Sequence, residues 1–429
     1  MSFSLSRRGF LRVGTASALG LSLPDVLRAE SRGTRKSKAD GLILVWLGGG
    51  PATIDMWDLK PDAPEEFRGE FKPIDTAAQG VRVCEHLPKV AGVMKKCALV
   101  RSLHHSITDH GAGAAHLATG HPPAAALKHP SLGAIAAKLL PAQAGLPPYI
   151  ALDGAAGFPG AAGFLGADCD PFTVDVGGRG GNRAESRVEG ISLSTGFTAD
   201  RLADRNKLRG AFDTKFHALE RTELPGALDS FQQQATDILG SDRVRKAFDL
   251  SLEKDAVREP FGPTVFGRSA LTARRLIEAG ARCVTVGLTG WDTHAGSFRT
   301  MRQQLLPELD RVLSALVTDL SDHGMLDRTV VYCVGEFGRT PRVNGSAGRD
   351  HWARSMSVLL AGGGVRGGTA YGSTDAHGLA PENDPCSPAD VSATVMNLLG
   401  IDPAHELRTL SGRPVAAFRD GKVIESLIG

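Results

Sequence analysis

Carboxylate and imidazole side chains follow three short apolar segments of this chain, and such side chains are common ligands of divalent metal ions. Asp292 and His294 lie two residues apart, in the loop that follows the predicted buried strand 281–288. In an extended loop, both side chains can turn toward one cation. The predicted metal ligands are Asp55, Asp292, His294, Glu336, Asp350 and His351.

A glycine-punctuated loop after the apolar run 330–334 carries Glu336, Arg339 and the Asp350–His351 pair. Ligands of open α/β sheets bind just past the carboxyl ends of the strands, so this composition indicates metal or anion chemistry. An ion-paired surface loop is the alternative interpretation of such a short motif.

Five of the 13 histidines of the protein lie within residues 104–121. Asp109 is predicted to cap a helix from about His110 to Thr119, and Gly120 is predicted to end it. His110 then lies in the first turn, at the edge of the predicted sheet. A single histidine would be a surface or core imidazole, whereas the cluster favours a functional site.

Three consecutive glycines end the first predicted strand. Residues 41–47 are apolar and run into Gly48–Gly50, which frees backbone N–H groups to face an anion. Such a turn is also common without a ligand. The polar side chains of Thr53, Asp55 and Asp58 make it a candidate site.

Predicted strands and helices alternate along the chain, which indicates a mostly parallel sheet with helices on both faces. Carboxylates and imidazoles delivered by separate strands describe a divalent-metal hydrolase better than a serine or cysteine triad. The sequence contains no GxSxG or P-loop motif. The predicted strands are 41–47, 97–103, 148–152, 281–288, 329–334 and 356–360, and the predicted helices are 110–119, 131–140, 266–279, 300–323 and 390–399.

Composition and charge exclude several other classes of protein. The 429 residues are 42% hydrophobic and 22% charged, as in a globular protein. Residues 1–29 hold four arginines and one aspartate, so the net charge falls from +2 to −1 without them. No basic face for nucleic acid is therefore expected, and no transmembrane span is expected in the mature chain.

The amino terminus resembles a twin-arginine export signal. Ser6–Arg12 reads SRRGFLR and precedes an apolar run that is too short to span a bilayer. This pattern predicts a signal peptide at 1–29, recognition by the twin-arginine export machinery, and a periplasmic or extracellular location. A basic amphipathic first helix is the alternative. A linker at 30–40 and a single domain at 41–429 are expected to follow, with a loop-rich segment at 154–197 and a helical insertion at about 199–257.

The six cysteines show no CxxC spacing, which argues against a zinc knuckle or a thioredoxin-like motif. Cys283 and Cys333 are expected to be buried as small apolar side chains. Cys84 and Cys97 are the pair that export would allow to form a disulfide.

Several motifs together resemble the exported bacterial family called domain of unknown function 1501, which is similar to sulfatases and alkaline phosphatases. The resemblance covers residues 41–418. It implies an alkaline-phosphatase-like three-layer sandwich, with one or two divalent metal ions (Zn, Ca or Mg) above the strand ends. The motifs occur in the order LGGGPATIDMWDLKP, RSLHH, DH, TGHPP, WDTHAG, GEFGRTP, GRDHW and DVSATVMNLLGID.

Individual residues can be compared with the motifs of that superfamily. Asp292 and His294 resemble two ligands of one metal, and His351 resembles the late metal-binding histidine. Glu336 stands where the superfamily has an aspartate. Residues 117–122 resemble the end of the sulfatase nucleophile motif.

Some positions depart from the superfamily pattern. His110 occupies the nucleophile position, so it could ligate a metal, act as general base or be the nucleophile itself. Thr53 is the other nucleophile candidate. Phe337 replaces a second metal histidine, and glycine replaces the first-strand metal aspartate unless Asp55 takes its place. Arg339 is expected to clamp the oxygens of the transferred anion.

The resulting hypothesis is an exported metal-dependent hydrolase of sulfate or phosphate esters, with a small-molecule or polysaccharide ester as substrate. The alternative is a catalytically degenerate relative that serves as a periplasmic or envelope binding or assembly module. The absence of Ser, Thr or Cys at position 110 supports that alternative. A metal-dependent carbohydrate or peptide hydrolase is a third possibility, indicated only by the glycine-rich loops.

Overall fold

A computed structural model describes residues 39–429 except 141, 143–144, 154–157, 159, 177–240 and 419. The predicted export signal and nearly all of the predicted linker therefore lie outside the described residues. So do most of the loop-rich segment and most of the helical insertion. Among the helices of the described ranges, none combines the length and the hydropathy of a membrane span.

An eight-stranded sheet forms the centre of the protein, in the order β12-β4-β11-β8-β1-β7-β5-β6. All strands run in one direction except β11, which pairs antiparallel with both β4 and β8. The strands are β1 (Gly41–Gly48), β4 (Cys97–Leu103), β5 (Tyr149–Leu152), β6 (Phe172–Val174), β7 (Cys283–Thr289), β8 (Thr329–Val334), β11 (Met356–Ala361) and β12 (Thr369–Tyr371).

Alternate side chains of β1 enter two separate apolar clusters, one on each face of the sheet. Ile43, Val45 and Leu47 belong to one cluster, and Leu42, Leu44 and Trp46 belong to the other. A strand buried on both faces reads as a continuous apolar run, which is why 41–47 was recognisable in the sequence.

Helices cover both faces, as the alternation of elements predicts. The first face carries α2 (Pro88–Val93), α5 (Asp242–Phe248), α6 (Asp255–Phe261), α7 (Val265–Ala279) and α9 (Leu306–Asp322), and the second carries α3 (His110–Thr119), α4 (Leu132–Leu139) and α10 (Pro388–Leu398). The short helix α1 (Glu65–Arg68) lies in a connecting segment, and α8 (Ser297–Thr300) is the first turn of the helix that continues into α9. The predicted fold class, a three-layer α/β sandwich around a mostly parallel sheet, is confirmed.

Small two-stranded sheets complete the described elements. One of them, β9 (Gly338–Arg339) with β10 (His351–Trp352), lies within the loop that carries most of the candidate site residues. The others pair β2 (Pro73–Asp75) with β3 (Arg82–Cys84), β13 (Ser373–Thr374) with β14 (Pro381–Asn383), and β15 (Glu406–Arg408) with β16 (Pro414–Ala416).

Three local expectations need correction. Phe172–Val174 was expected to be loop but forms the edge strand β6, because it pairs in parallel with β5. The helix expected at 300–323 begins at Ser297 and contains a π-helical segment at Met301–Leu305. Cys84 and Cys97 form no disulfide; both are buried free thiols, and burial raises the pKa of each to about 12.

Candidate metal centre

The three strands that carry the candidate ligands are neighbours in the sheet. β1 pairs in parallel with β7 on one side and with β8 on the other, so their carboxyl ends meet at one edge. Gly49, just after β1, has a φ of +117°, and a Cβ added there would lie 2.4 Å from the backbone nitrogen of Asp292. Glycine therefore allows the turn after β1 to contact the loop after β7 directly.

Helix α3 brings His110 to the same edge. The Asp109 carboxylate caps the helix by accepting a 2.8 Å hydrogen bond from the Ala112 N–H, and Gly120 ends it in the left-handed conformation. Both caps were predicted. Gly113 allows the helix to lie close to the backbone of Glu336 and to Phe337, since a Cβ there would be 3.1 Å from the Phe337 ring.

The β9–β10 pair positions His351, which lies opposite Arg339 in the antiparallel register. Arg349, whose side chain is fully buried, anchors the loop that joins the two strands. Its Nε and one terminal nitrogen donate 2.7 Å hydrogen bonds to the two carboxylate oxygens of Asp55.

Three histidines of the site are each held through Nδ1 by an acceptor. His110 Nδ1 donates to Glu336 Oε1 at 2.7 Å, and His294 Nδ1 donates to Asp350 Oδ1 at 2.8 Å. His351 Nδ1 donates to the backbone carbonyl of Thr108 at 2.7 Å. Because carboxylates and carbonyls only accept hydrogen bonds, we assign the proton of each neutral ring to Nδ1, which leaves Nε2 with its lone pair.

The three Nε2 atoms converge on the carboxylate of Asp292. Its oxygens lie 3.0 Å from His294 Nε2, 3.3 Å from His351 Nε2 and 3.4 Å from His110 Nε2. His110, Asp292 and His351 form a group of potential ligand atoms that lie within 4.8 Å of one another. The Nε2 atoms of His294 and His351 are only 3.0 Å apart.

This convergence fits a metal ion. Two unprotonated imidazole nitrogens at 3.0 Å repel each other unless a positive charge lies with them. A metal ion would supply that charge more directly than the Arg339 guanidinium, which reaches only His294 Nε2. Histidine ligands of metals typically donate their other ring N–H to a carboxylate or a carbonyl, which orients the ring. All three histidines show this arrangement, and Asp292 adds a carboxylate oxygen.

Arg339 keeps Asp292 ionised. Burial acts to raise the pKa of Asp292, but the hydrogen bond and positive charge of Arg339 outweigh it and lower that pKa to about 2. The guanidinium also lies 3.3 Å from His294 Nε2. The edge therefore holds a permanent negative charge that is partly balanced by one arginine.

Glu336 is almost completely buried beneath His110. Its Oε1 accepts hydrogen bonds from His110 Nδ1 and, at 2.9 Å, from the Gly49 N–H, whereas its buried Oε2 has no hydrogen-bond partner among the described residues. Glu336 therefore joins the turn after β1 to the first residue of α3. Its carboxylate therefore lies behind the His110 ring and is not one of the converging groups.

Three predicted site residues are not free to act as the ligand, the nucleophile and the anion clamp that the sequence predicted. Asp55 is buried, and both of its oxygens are bound to Arg349. The hydroxyl of Thr53 is also buried and accepts a hydrogen bond from the Ser357 N–H. Arg339 has no exposed side-chain surface and donates to the carbonyls of Gly49, Gly50 and Arg349 as well as to Asp292, so no N–H faces solvent to clamp an anion.

Two contributors were not recognised in the sequence. Asn344 donates to the His294 carbonyl at 2.9 Å and to Asp350 Oδ1 at 3.3 Å, which ties the two loops together. Its Asn-Gly-Ser sequence is typical of a turn and could have indicated this role. The Thr108 carbonyl is a backbone group, so no residue type could have revealed it.

Fold and site together define a three-layer α/β protein with a histidine-rich candidate metal centre at the carboxyl ends of neighbouring parallel strands. The chain belongs to the family described as Protein of unknown function (DUF1501), whose model matches residues 39–428. The family membership that the motifs indicated is thereby confirmed, whereas export stays a prediction. A comparison with curated proteins finds no match.

Solved structures with a similar chain path include the PsFucS1 sulfatase from Pseudoalteromonas sp. (11% identity, 95% of this chain and 77% of that chain, TM-score 0.42). Another is the phosphonate monoester hydrolase SpPMH from Silicibacter pomeroyi (11% identity, 91% and 76%, TM-score 0.35). A third is Ps i-CgsB in complex with k-i-k-neocarrahexaose (12% identity, 85% and 72%, TM-score 0.39). The strand order of this chain, rather than these distant similarities, establishes its fold.

Proposed function

We propose that this protein is an exported metal-dependent hydrolase of sulfate or phosphate esters. The convergence of three histidine Nε2 atoms on Asp292, each ring held through Nδ1 by an acceptor, carries the proposal. Imidazole nitrogens suit zinc and similar transition metals, whereas calcium and magnesium prefer oxygen. Of the three metals considered from the sequence, zinc therefore fits best.

Different residues of the site would bind the metal, orient its ligands and stabilise the surrounding loops. His110, Asp292, His294 and His351 would hold the ion, which supplies a Lewis acid for the ester oxygens and activates water. Glu336 and Asp350 would orient two of the histidines through Nδ1. Arg339 would keep Asp292 ionised and fix the turn after β1. The attacking group would be water, because Thr53 is buried and His110 is directed into the cluster.

Metal analysis of the exported protein, combined with aryl sulfate and aryl phosphate hydrolysis, tests this proposal. We expect about one zinc-class ion per chain and metal-dependent turnover. The double variant Asp292→Ala/His294→Ala should lose both. Asp109→Asn is a matched control, because it alters a carboxylate of the same region that only caps α3. Metal-free protein, or turnover that survives the double variant, would contradict the proposal.

A binding module without turnover is the second candidate, and the openness of the site favours it. The side chains of His110, Asp292 and His294 are 39%, 47% and 44% exposed. Active sites commonly exclude water from the reacting groups, whereas an open face suits docking of a large partner. This candidate predicts metal binding and ligand binding without hydrolysis in the same assays.

Export by the twin-arginine route is part of the proposal and rests on the SRRGFLR motif. Arg7→Lys/Arg8→Lys should leave the precursor in the cytoplasm, whereas Arg12→Lys outside the pair should be exported normally. Fractionation followed by immunodetection distinguishes the two variants. Equal export of both would contradict the assignment.

A further inference from the structure

A polar groove begins immediately after His294. It has about 410 Å³ of free volume and is lined by Ala295, Gly296, Arg299, Thr300, Gln303 and Gln304. The groove therefore starts at the residue that follows a proposed metal ligand. None of its lining side chains is acidic or aromatic, and Ala295 supplies the only apolar one.

The groove side chains are available to a ligand. Arg299, Gln303 and Gln304 are exposed. Arg299 makes one long contact, 3.4 Å from its Nε to Gln303 Oε1, and no carboxylate in the described ranges pairs with it. A guanidinium in this state can bind a planar or tetrahedral anion through two N–H groups.

Pro307 explains why the helix is irregular here. In an α-helix, the carbonyl of Gln303 would accept a hydrogen bond from residue 307, but proline has no N–H. The helix responds with a π-helical segment at Met301–Leu305, in which the Leu306 N–H donates to the Met301 carbonyl. Such segments occur often at functional sites, and this one carries Gln303 and Gln304 along the groove.

The chemistry of the lining identifies a class of ligand. Carboxamides both donate and accept hydrogen bonds, as sugar hydroxyl groups do, and Arg299 supplies a positive charge. We propose that this groove binds the part of the substrate beyond the hydrolysed ester, and that this part is an anionic oligosaccharide. A single-stranded nucleic acid fits less well, because the groove offers no aromatic side chain for base stacking. The inference rests on the proposed function for the identity of the neighbouring site.

Binding measurements with dextran sulfate test the groove, with uncharged dextran and a single-stranded oligonucleotide of matched length for comparison. Arg299→Ala should weaken dextran sulfate binding by about tenfold, and Gln303→Ala/Gln304→Ala should weaken binding of both dextrans. Arg328→Ala is the charge-matched control, because Arg328 precedes β8 at the opposite edge of the sheet. This control should bind dextran sulfate as the wild type does.

The possible results separate the groove from the proposed function. Dextran sulfate binding that depends on Arg299, in a protein that hydrolyses no ester, would support the groove and overturn the function. Hydrolysis of aryl esters, with Arg299→Ala binding dextran sulfate no more weakly than Arg328→Ala, would overturn the groove alone. Equal or tighter Arg299-dependent binding of the oligonucleotide would also overturn the assignment to an oligosaccharide.

Discussion

Glu336 and Asp350 orient histidines of the candidate metal centre from opposite environments. Glu336 is buried and bound to both His110 and Gly49, whereas the Asp350 side chain is 56% exposed. A carboxylate removed from water interacts more strongly with a neighbouring ring than an exposed one does. We therefore expect the two carboxylates to contribute unequally to metal affinity.

Glu336→Gln should reduce zinc affinity by about tenfold, because it removes the charge behind His110 and keeps the size of the side chain. Asp350→Asn is the matched control and should have a smaller effect. Competition with a chromophoric chelator measures both affinities, and circular dichroism checks that the variants are folded. Equal losses of zinc affinity in the two variants would show that the burial of Glu336 does not strengthen its effect on metal binding.

Arg339 should act on stability rather than on substrate binding. Arg339→Lys removes hydrogen bonds to the Gly49 and Gly50 carbonyls and part of the contact with Asp292. We expect the free energy of unfolding to fall by about 3 kcal/mol, as for other disrupted buried charge networks. Chemical denaturation measures this loss. Arg342→Lys, an exposed change in the same loop, should leave stability unaltered. If Arg339→Lys instead raised the KM and left stability unchanged, Arg339 would bind the substrate anion, as the sequence predicted.

At the scale of elements, the site depends on how closely the turn after β1 approaches the loop after β7. Gly49→Ala introduces a Cβ 2.4 Å from the Asp292 nitrogen, so the loop carrying Asp292 and His294 must move. Zinc binding and thermal stability should both decrease.

Gly80→Ala provides the matched control for that substitution. Gly80 also has a positive φ, +77°, but a Cβ there would meet nothing within 4 Å. The Gly80→Ala variant should therefore lose stability through backbone strain alone, of order 1 kcal/mol. If the two variants lost the same stability and bound zinc equally well, contact between the turn and the loop would not matter for the site.

The elements were largely predictable, whereas the pairing of side chains was not. Strands β1 and β8 and the caps of α3 follow from apolar runs and from Asp109 and Gly120, which are local signals. The Asp55–Arg349 pair could not be predicted, because its partners are 294 residues apart in sequence. Without knowledge of Arg349, the sequence around Asp55 therefore predicted a metal ligand. The π-helical segment was missed although Pro307 indicated an irregularity.

The whole molecule should lose stability as the pH falls from about 6.5 to about 4. Burial lowers the pKa of His105 to about 4, and the nearby charge of His116 lowers it by a smaller amount. Burial also lowers the pKa of His116 itself to about 4. Between these pH values the unfolded chain binds protons that the folded chain does not. The stabilising contribution is therefore complete above the unfolded pKa and decreases as the pH falls.

The variant His105→Gln tests this pH dependence, because glutamine can still donate to the Glu336 carbonyl that His105 Nε2 contacts at 2.9 Å. Guanidinium denaturation near pH 7 and near pH 5 should show a smaller drop for the variant than for the wild type. The difference should be at most about 2 kcal/mol, since only the range from about pH 6.5 to about pH 5 contributes. An unchanged drop would mean that His105 does not titrate in this range.

The position of β1 between β7 and β8 also sets the order of events during folding. Leu42 pairs with Cys283 and Val330, so the central strand finds both neighbours only after most of the chain has been made. Closing such long loops costs entropy before any contact stabilises them, which slows folding. Asp292 and His294 enter with β7, and His351 follows β8. We therefore expect metal uptake to be a late step that consolidates the nearly finished sheet, so that bound metal reports completed folding.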